Sequence, residues 1–481
     1  MLCFLDGTDA AGLSHSELED RLDRDGRELL RRLLDDHLAL REIREQRLEQ
    51  VIGDEGVTRG RVESGHARVL ETVFGAVSVK RLAYRAPGLG NLHPADAALN
   101  LPVERHSHGL RKLTALEGTR GSFQDALDAI ERQTGQRLAK RQVEELAGLA
   151  AVDFEDFYEA RRAPRGKRGD LLVLSADGKG IVMRPDALRT ATATRRARAG
   201  PKPKARLSGG ETLNHKRMAE IGAVYDATPA PRTPADILAS AAPDGHELAP
   251  GPIATNKWLT ASVVKAPRTV IKQIFEEADR RDPKHRRTWV ALVDGANHQI
   301  QRIKFEAKTR AVKVTIIVDF VHVLEYLWNA AGCLYPDGSP NAEQWVHRQA
   351  IKVLEGHATK VAGMIRRTAT NARLEAARRR PADDAAAYLT NKAPYLDYPT
   401  ALKAGWPIAT GIIEGACRHL VKDRMDITGA RWGLAGAEAI LKLRALKANG
   451  DFDAYWRYHL TQERHHVHEA RYHNHLIPNA A

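Results

Sequence analysis

Three acidic residues stand where phosphoryl chemistry would need them. Asp177 lies in SADGKG, directly after an apolar run. Asp294 lies in VDGAN, after another such run. Glu414 lies in GIIEGACRHLVKDR, near the start of a helical stretch. Carboxylates at the ends of neighbouring strands, joined by one from a helix, can converge on hard divalent cations such as Mg²⁺ or Mn²⁺, which take oxygen ligands. Two such ions about 4 Å apart activate an attacking oxygen and stabilise a leaving one in phosphodiester chemistry. Singly, each residue has an ordinary explanation. Asp-Gly after a strand is a common turn, and Glu414 has Arg418 at i+4 and Lys422 at i+8, a spacing suited to surface ion pairs. Jointly, each of the three is followed by glycine, which allows close approach of a backbone or a phosphate.

A fourth acid competes. Asp319 follows the apolar run TIIV and precedes FVHVLEYLWNA, whose apolar face is Phe320, Val323, Leu324 and Leu327. Asp319 and His322 share the other face, three residues apart. Asp319 has the position of a helix N-cap; with His322 it also makes a carboxylate–imidazole pair able to support a neighbouring site. The late histidines, His459 to His475, read as an exposed stretch. No P-loop, dinucleotide fingerprint or nucleophile elbow occurs.

The elements that would hold these residues alternate. Strands are expected at Leu171–Ser175, ending in a turn at Asp177-Gly178, at Met218–Tyr225, at Val290–Val293 and at Val314–Val318. Helical patterns begin near Leu259 and continue from Asp319 and through most of 330–405. Strands alternating with helices indicate an α/β core. Upstream, a helix is expected over 14–51 with a capping box of Ser16 and Glu19, then a hairpin over 67–85 turning at Gly75. A helix pair over 122–157 has the helix-turn-helix outline, although Glu144 and Glu145 suit a groove-reading helix poorly. The domains expected are 1–105, 106–164, 165–450 and a tail at 451–481. The third carries a basic loop at 184–217, a Pro-rich loop at 228–252 and a helical insertion at 330–405.

Composition narrows the class. With 481 residues the chain is long enough for about three domains. Lys and Arg number 74 against 61 acids, a net charge of +13, which favours polyanionic partners, nucleic acid first. Ten Lys or Arg against two acids fall between 184 and 217, including Arg195, Arg196 and Arg198. Three scattered cysteines with no CxxC pair argue against a disulfide scaffold and a cysteine-built zinc ribbon. No apolar run approaches the ~18 residues of a membrane span, and the N-terminus lacks a basic n-region. An intracellular, reducing setting is expected.

The run GWPIATGIIEGACRHLVKDRMDITGARWGLAGAEAILKLRAL, followed by FDAYWRYH, resembles the C-terminal block of ISKra-type insertion-sequence transposases. The resemblance extends back through VDGANHQI, VDFVHVLEYLW and SADGKGIVMR, and weakly to GAVSVKRLAYR. It implies a DDE transposase with an RNase H-like catalytic core and a helical insertion, preceded by a helical and hairpin region. It further implies Asp177, Asp294 and Glu414 as ligands of two Mg²⁺ or Mn²⁺ ions. Asp319 and His322 match the D-x-x-H of Mutator-like relatives, which puts them beside the site or makes Asp319 an alternative second acid. Arg418, Lys422 and Arg424 would face DNA phosphate or the surroundings of the third acid, and Arg431 and the arginines of the basic loop would face DNA. Double-stranded DNA, a dimer or higher assembly on it, and a bacterial, nucleoid-associated cytoplasmic location follow as expectations. Where relatives carry cysteines after the hairpin, this chain has AYRAPGLG, so no zinc module is expected there. The alternatives are a nuclease that hydrolyses without joining and a non-catalytic DNA-binding derivative.

Overall fold

After two short helices, Leu2–Leu5 and Thr8–Ala11, comes a long one, His15–Arg44. Its capping box is Ser14 with Glu17, two residues earlier than expected: the Ser14 amide donates to Glu17 Oε2 at 2.9 Å. Both Ser-x-x-Glu pairs have the right spacing, and the earlier one lets the helix gain further backbone bonds. The helix stops at Arg44 instead of running to 51, because Val51 is fully buried in a separate cluster with Tyr84 and Tyr472. The structure of the protein is a computed structural model, and it describes residues 1–198, 215–238, 248–427 and 429–479. The expected basic and Pro-rich loops therefore lie partly outside the described residues. No described helix is long and apolar enough to cross a membrane.

The chain forms two compact units: residues 1–160 with 442–481, and residues 161–441. The tail read as a separate segment thus belongs with the N-terminal part. In the first unit, β1 (Arg61–Thr72) and β2 (Gly75–Arg85) form an antiparallel hairpin. Alternation over the first part of β2 turns Val77 and Val79 onto Leu38, Leu70 and Leu101. The helix pair is Phe123–Thr134 and Lys140–Leu149. The first is closed by Gly135 at φ +70, the left-handed conformation that favours glycine. Leu110 of the preceding helix, His108–Gly118, packs with Ala126, Ile130 and Val143 of the pair. The late histidines are not all exposed. His459 is buried against Asp153 at 2.6 Å, and buried His468 meets the Leu101 carbonyl at 2.9 Å. Imidazoles with such partners can leave water at little cost.

The second unit is built on a five-stranded mixed sheet in the order β5-β4-β3-β6-β7. The strands are β3 (Leu171–Val182), β4 (Lys216–Ala227), β5 (Ala254–Ser262), β6 (Trp289–Val293) and β7 (Val314–Val318). β3, β4 and β5 are antiparallel neighbours, whereas β6 and β7 run parallel to β3. Two expectations fail here. β5 occupies a stretch read partly as helix; the helix begins later, at Pro267–Arg281. And β3 does not turn at Asp177-Gly178. It continues to Val182, because β4 pairs with it along its whole length.

The Pro267–Arg281 helix packs on β4, where Gly222 makes room for it. A Cβ at Gly222 would lie 2.8 Å from Ile274 Cγ1. Gly222→Ala is therefore expected to destabilise this unit by about 1–3 kcal/mol, the usual cost of overpacking, measured as a lower urea midpoint. A crossover helix, Asn297–Thr309, joins β6 to β7. After β7 come the helices Phe320–Leu334, Pro340–Leu354, Ala358–Asn371 and Ala376–Lys392, in the region expected to be helical. The chain then returns to the sheet at Gly411–Ala416.

Candidate active site

The sheet register levels three of the acids. β3 and β6 pair in parallel from Leu172↔Trp289 to Ser175↔Leu292, and β6 pairs with β7 up to Val293↔Val318. Continuing by two residues sets Asp177 beside Asp294; continuing by one sets Asp294 beside Asp319. Three adjacent strands thus carry a carboxylate at the same end, the carboxyl end of β6 and β7. Asp177 faces away from the Pro267–Arg281 helix, since it is directly opposite Ile221 and the neighbouring Gly222 faces Ile274.

The segment carrying Glu414 reaches the Asp177 face. Its α-helix, Gly411–Ala416, continues as a π-helical turn over Cys417–Lys422. Such widened turns occur often at functional sites. The Cys417 thiol donates to Asp177 Oδ2 at 3.2 Å, and the Gly178 amide is 2.6 Å from Asp177 Oδ1. Glu414 is exposed, and its Oε1 is 3.2 Å from the Thr410 hydroxyl. The ordinary explanation for Glu414 is not what the side chains adopt, because Arg418 pairs with Asp423 at 3.7 Å. A Cβ at Gly411 or Gly415 would meet nothing within 4 Å, so this face of the helix is open.

The two competing acids are held differently. Asp294 is partly exposed, with Oδ1 accepting from the Ala296 amide at 2.8 Å. Tyr388 donates to its backbone carbonyl at 2.8 Å and stacks on Tyr326. Asp319 is 1% exposed. Its Oδ1 accepts from the amides of Val321 at 3.0 Å and Thr410 at 3.3 Å, and its Oδ2 from the Thr410 hydroxyl. Asp319 is thus the N-cap of Phe320–Leu334, and both its oxygens are committed.

The neighbours register the concentration of negative charge. Burial alone would lower the His322 imidazole, but the Glu325 carboxylate at 2.8 Å, with Asp294 and Asp319 nearby, holds its pKa above the ordinary value. Burial, then Asp177 and Glu414, push the Cys417 thiol far up. Burial raises the Glu220 carboxyl, and Asp177 adds to it.

Asp177, Asp294 and Glu414 supply the hard oxygen donors that Mg²⁺ or Mn²⁺ requires, and all three are partly buried or exposed. In donor chemistry the set fits. The side chains are not gathered around a common point, however: among the described residues no three His, Cys, Asp or Glu are grouped to hold a metal ion. Loading would require side-chain rotation, with Asp177 leaving the Cys417 thiol.

Of the cations expected to face DNA, Arg418, Lys422 and Arg431 are exposed. Arg195 and Arg198 are exposed at the end of the helix Thr190–Arg198, and Arg196 is partly buried. Arg424 departs from the expectation. It is 2% exposed, with its guanidinium over the Trp432 ring at 4.7 Å, which makes it a packing residue. Thr410, Cys417 and Tyr388 were not singled out by the sequence. Only Thr410 left a trace, as a hydroxyl residue just before a helix. No family model matches the chain, and no curated protein compared with it is detectably similar.

Proposed function

We propose that the protein is a DDE-type DNA transposase with an RNase H-like core, cleaving and joining the ends of an insertion sequence. The observation that carries this reading is the placement of Asp177 on the central strand of the five, level with Asp294 on its parallel neighbour, with the Glu414 helix packed on Asp177 through Cys417. An RNase H-like core puts its first acid on its central strand. When bound, two Mg²⁺ or Mn²⁺ ions would activate the attacking oxygen and stabilise the leaving one.

The residues divide the work. Asp177, Asp294 and Glu414 would hold the ions, and Asp319 would support Glu414 through Thr410. In the first reaction water attacks the phosphorus at an element end and the 3′-oxygen leaves. In the second the freed 3′-hydroxyl attacks a target phosphodiester and displaces the target's own 3′-oxygen. The phosphodiester count is conserved in the joining step, and the protein supplies position and electrostatics without a covalent intermediate. Arg418, Lys422 and Arg431 would neutralise DNA phosphates. Bringing two ends together calls for at least two copies.

The test is incubation of the full chain with plasmid carrying the DNA that flanks its own gene, with Mg²⁺ or with EDTA. Mg²⁺-dependent cuts at the element ends, followed by joined products, support the proposal. Cuts without joining favour a nuclease, and salt-sensitive binding without cuts favours a binding protein. In the same system, replacing Arg418, Lys422 or Arg431 by Ala is expected to weaken DNA binding uniformly across sequences. Each replacement should flatten the dependence of log affinity on log salt by about 1, measured by fluorescence anisotropy between low and physiological salt.

A further inference from the structure

We propose that Thr410 is a positioning residue for Glu414, tying that carboxylate to the end of β7 through the buried carboxylate of Asp319. The inference rests on the reading of Asp177, Asp294 and Glu414 as ion ligands.

Glu414 reaches the sheet only after the long helical insertion, so chain connectivity does little to fix its place. Thr410 and Asp319 are 91 residues apart in sequence. Hydrogen bonds close that gap. The Phe320 amide donates to the Ile408 carbonyl at 2.9 Å, and the Asp319 amide to the Val293 carbonyl at 2.8 Å, one residue before Asp294. The Thr410 amide and hydroxyl then both engage the Asp319 carboxylate. From Thr410 the first turn of the helix leads to Glu414, whose amide donates to the Thr410 carbonyl at 3.0 Å.

The hydroxyl's direction is the telling feature. A Thr at an N-cap ordinarily accepts from the amides of its own helix. Thr410 makes no such bond. Its single hydroxyl proton is shared between two acceptors, Asp319 Oδ2 and Glu414 Oε1, the latter at 3.2 Å, as one three-centre hydrogen bond. Thr410 is 5% exposed and Asp319 1%, so water does not offer either a ready substitute, and bonds to a charged group away from water are the stronger kind. One oxygen of Glu414 is thereby oriented by the strand end and the other is left to act.

The test is Mn²⁺ binding to the full chain, followed by electron paramagnetic resonance, for wild type, Thr410→Val, Thr410→Ser and Asp177→Ala. Wild type is expected to bind Mn²⁺ at a site that Asp177→Ala removes. Thr410→Val keeps the shape but not the hydroxyl, and should weaken binding about tenfold. Thr410→Ser restores the hydroxyl and should stay within about twofold of wild type. Equal binding by Thr410→Val and wild type would overturn the proposal, as would equal weakening by Val and Ser. Wild-type binding that Asp177→Ala does not affect, or no binding at all, would overturn the ion-site reading itself and this proposal with it.

Discussion

Replacing Asp177, Asp294 or Glu414 singly by Ala is expected to lower Mg²⁺-dependent DNA cleavage by on the order of 10³-fold. The magnitude follows from the loss of several kcal/mol of charge stabilisation when a metal ligand is removed, at about 1.4 kcal/mol per tenfold. DNA affinity in EDTA should change by less than about threefold, because phosphate contacts by basic residues dominate that term. Asp319→Asn is expected to retain measurable cleavage, since Asp319 is buried with both oxygens committed to Val321 and Thr410. The check is a single-turnover time course on end-labelled DNA, with circular dichroism to confirm that each variant folds. Full activity in Asp294→Ala beside none in Asp319→Asn would move the second acid one strand along, to the end of β7.

The second large effect concerns stability. Asp226, fully buried on β4, accepts from Arg287 Nη2 at 2.6 Å and Asn256 Nδ2 at 2.7 Å, with Arg281 Nη1 4.0 Å away. Arg287 also donates to the carbonyls of Asp170 and Leu171, at 3.1 and 2.7 Å. The cluster fastens the start of β3 to the end of β4, upstream of Asp177, which lies in the middle of β3. Asp226→Ala leaves the guanidinium of Arg287 buried without its carboxylate, which costs about 3–5 kcal/mol. Asp226→Asn keeps hydrogen-bonding capacity and should cost less. Amide exchange of β4 under increasing urea would measure both; a loss below about 1 kcal/mol for the Ala variant would mean that water reaches the cluster.

Much of this arrangement was legible in the sequence where local signals and tertiary roles coincide. β6 and β7 are short apolar runs ended by Asp294-Gly295 and by the N-cap Asp319, and their parallel pairing needs only the crossover helix between them. β5 left no such signal. It is an edge strand whose first residues face solvent, with only Trp258 to Ser262 buried, so its alternation is too short to see. The continuation of β3 through Asp177-Gly178 was hidden for another reason. Asp-Gly is turn chemistry, and only pairing with the distant β4 keeps it extended. The resemblance placed Arg424 with the DNA-facing cations, and nothing local announces that Trp432 covers it. Thr410 shows the same limit at the site itself, since its meaning depends on Asp319, far back along the chain.

The most direct measurement is strand transfer. A labelled, pre-cut element end with a free 3′-hydroxyl is mixed with an unlabelled target plasmid, the full chain and Mg²⁺, and covalent entry of label into the plasmid is followed on a denaturing gel. The expected result is joined product with wild type, absent in EDTA and with Asp294→Ala. Failure of wild type to join an end that it binds, or equal joining by Asp294→Ala, would contradict the assignment.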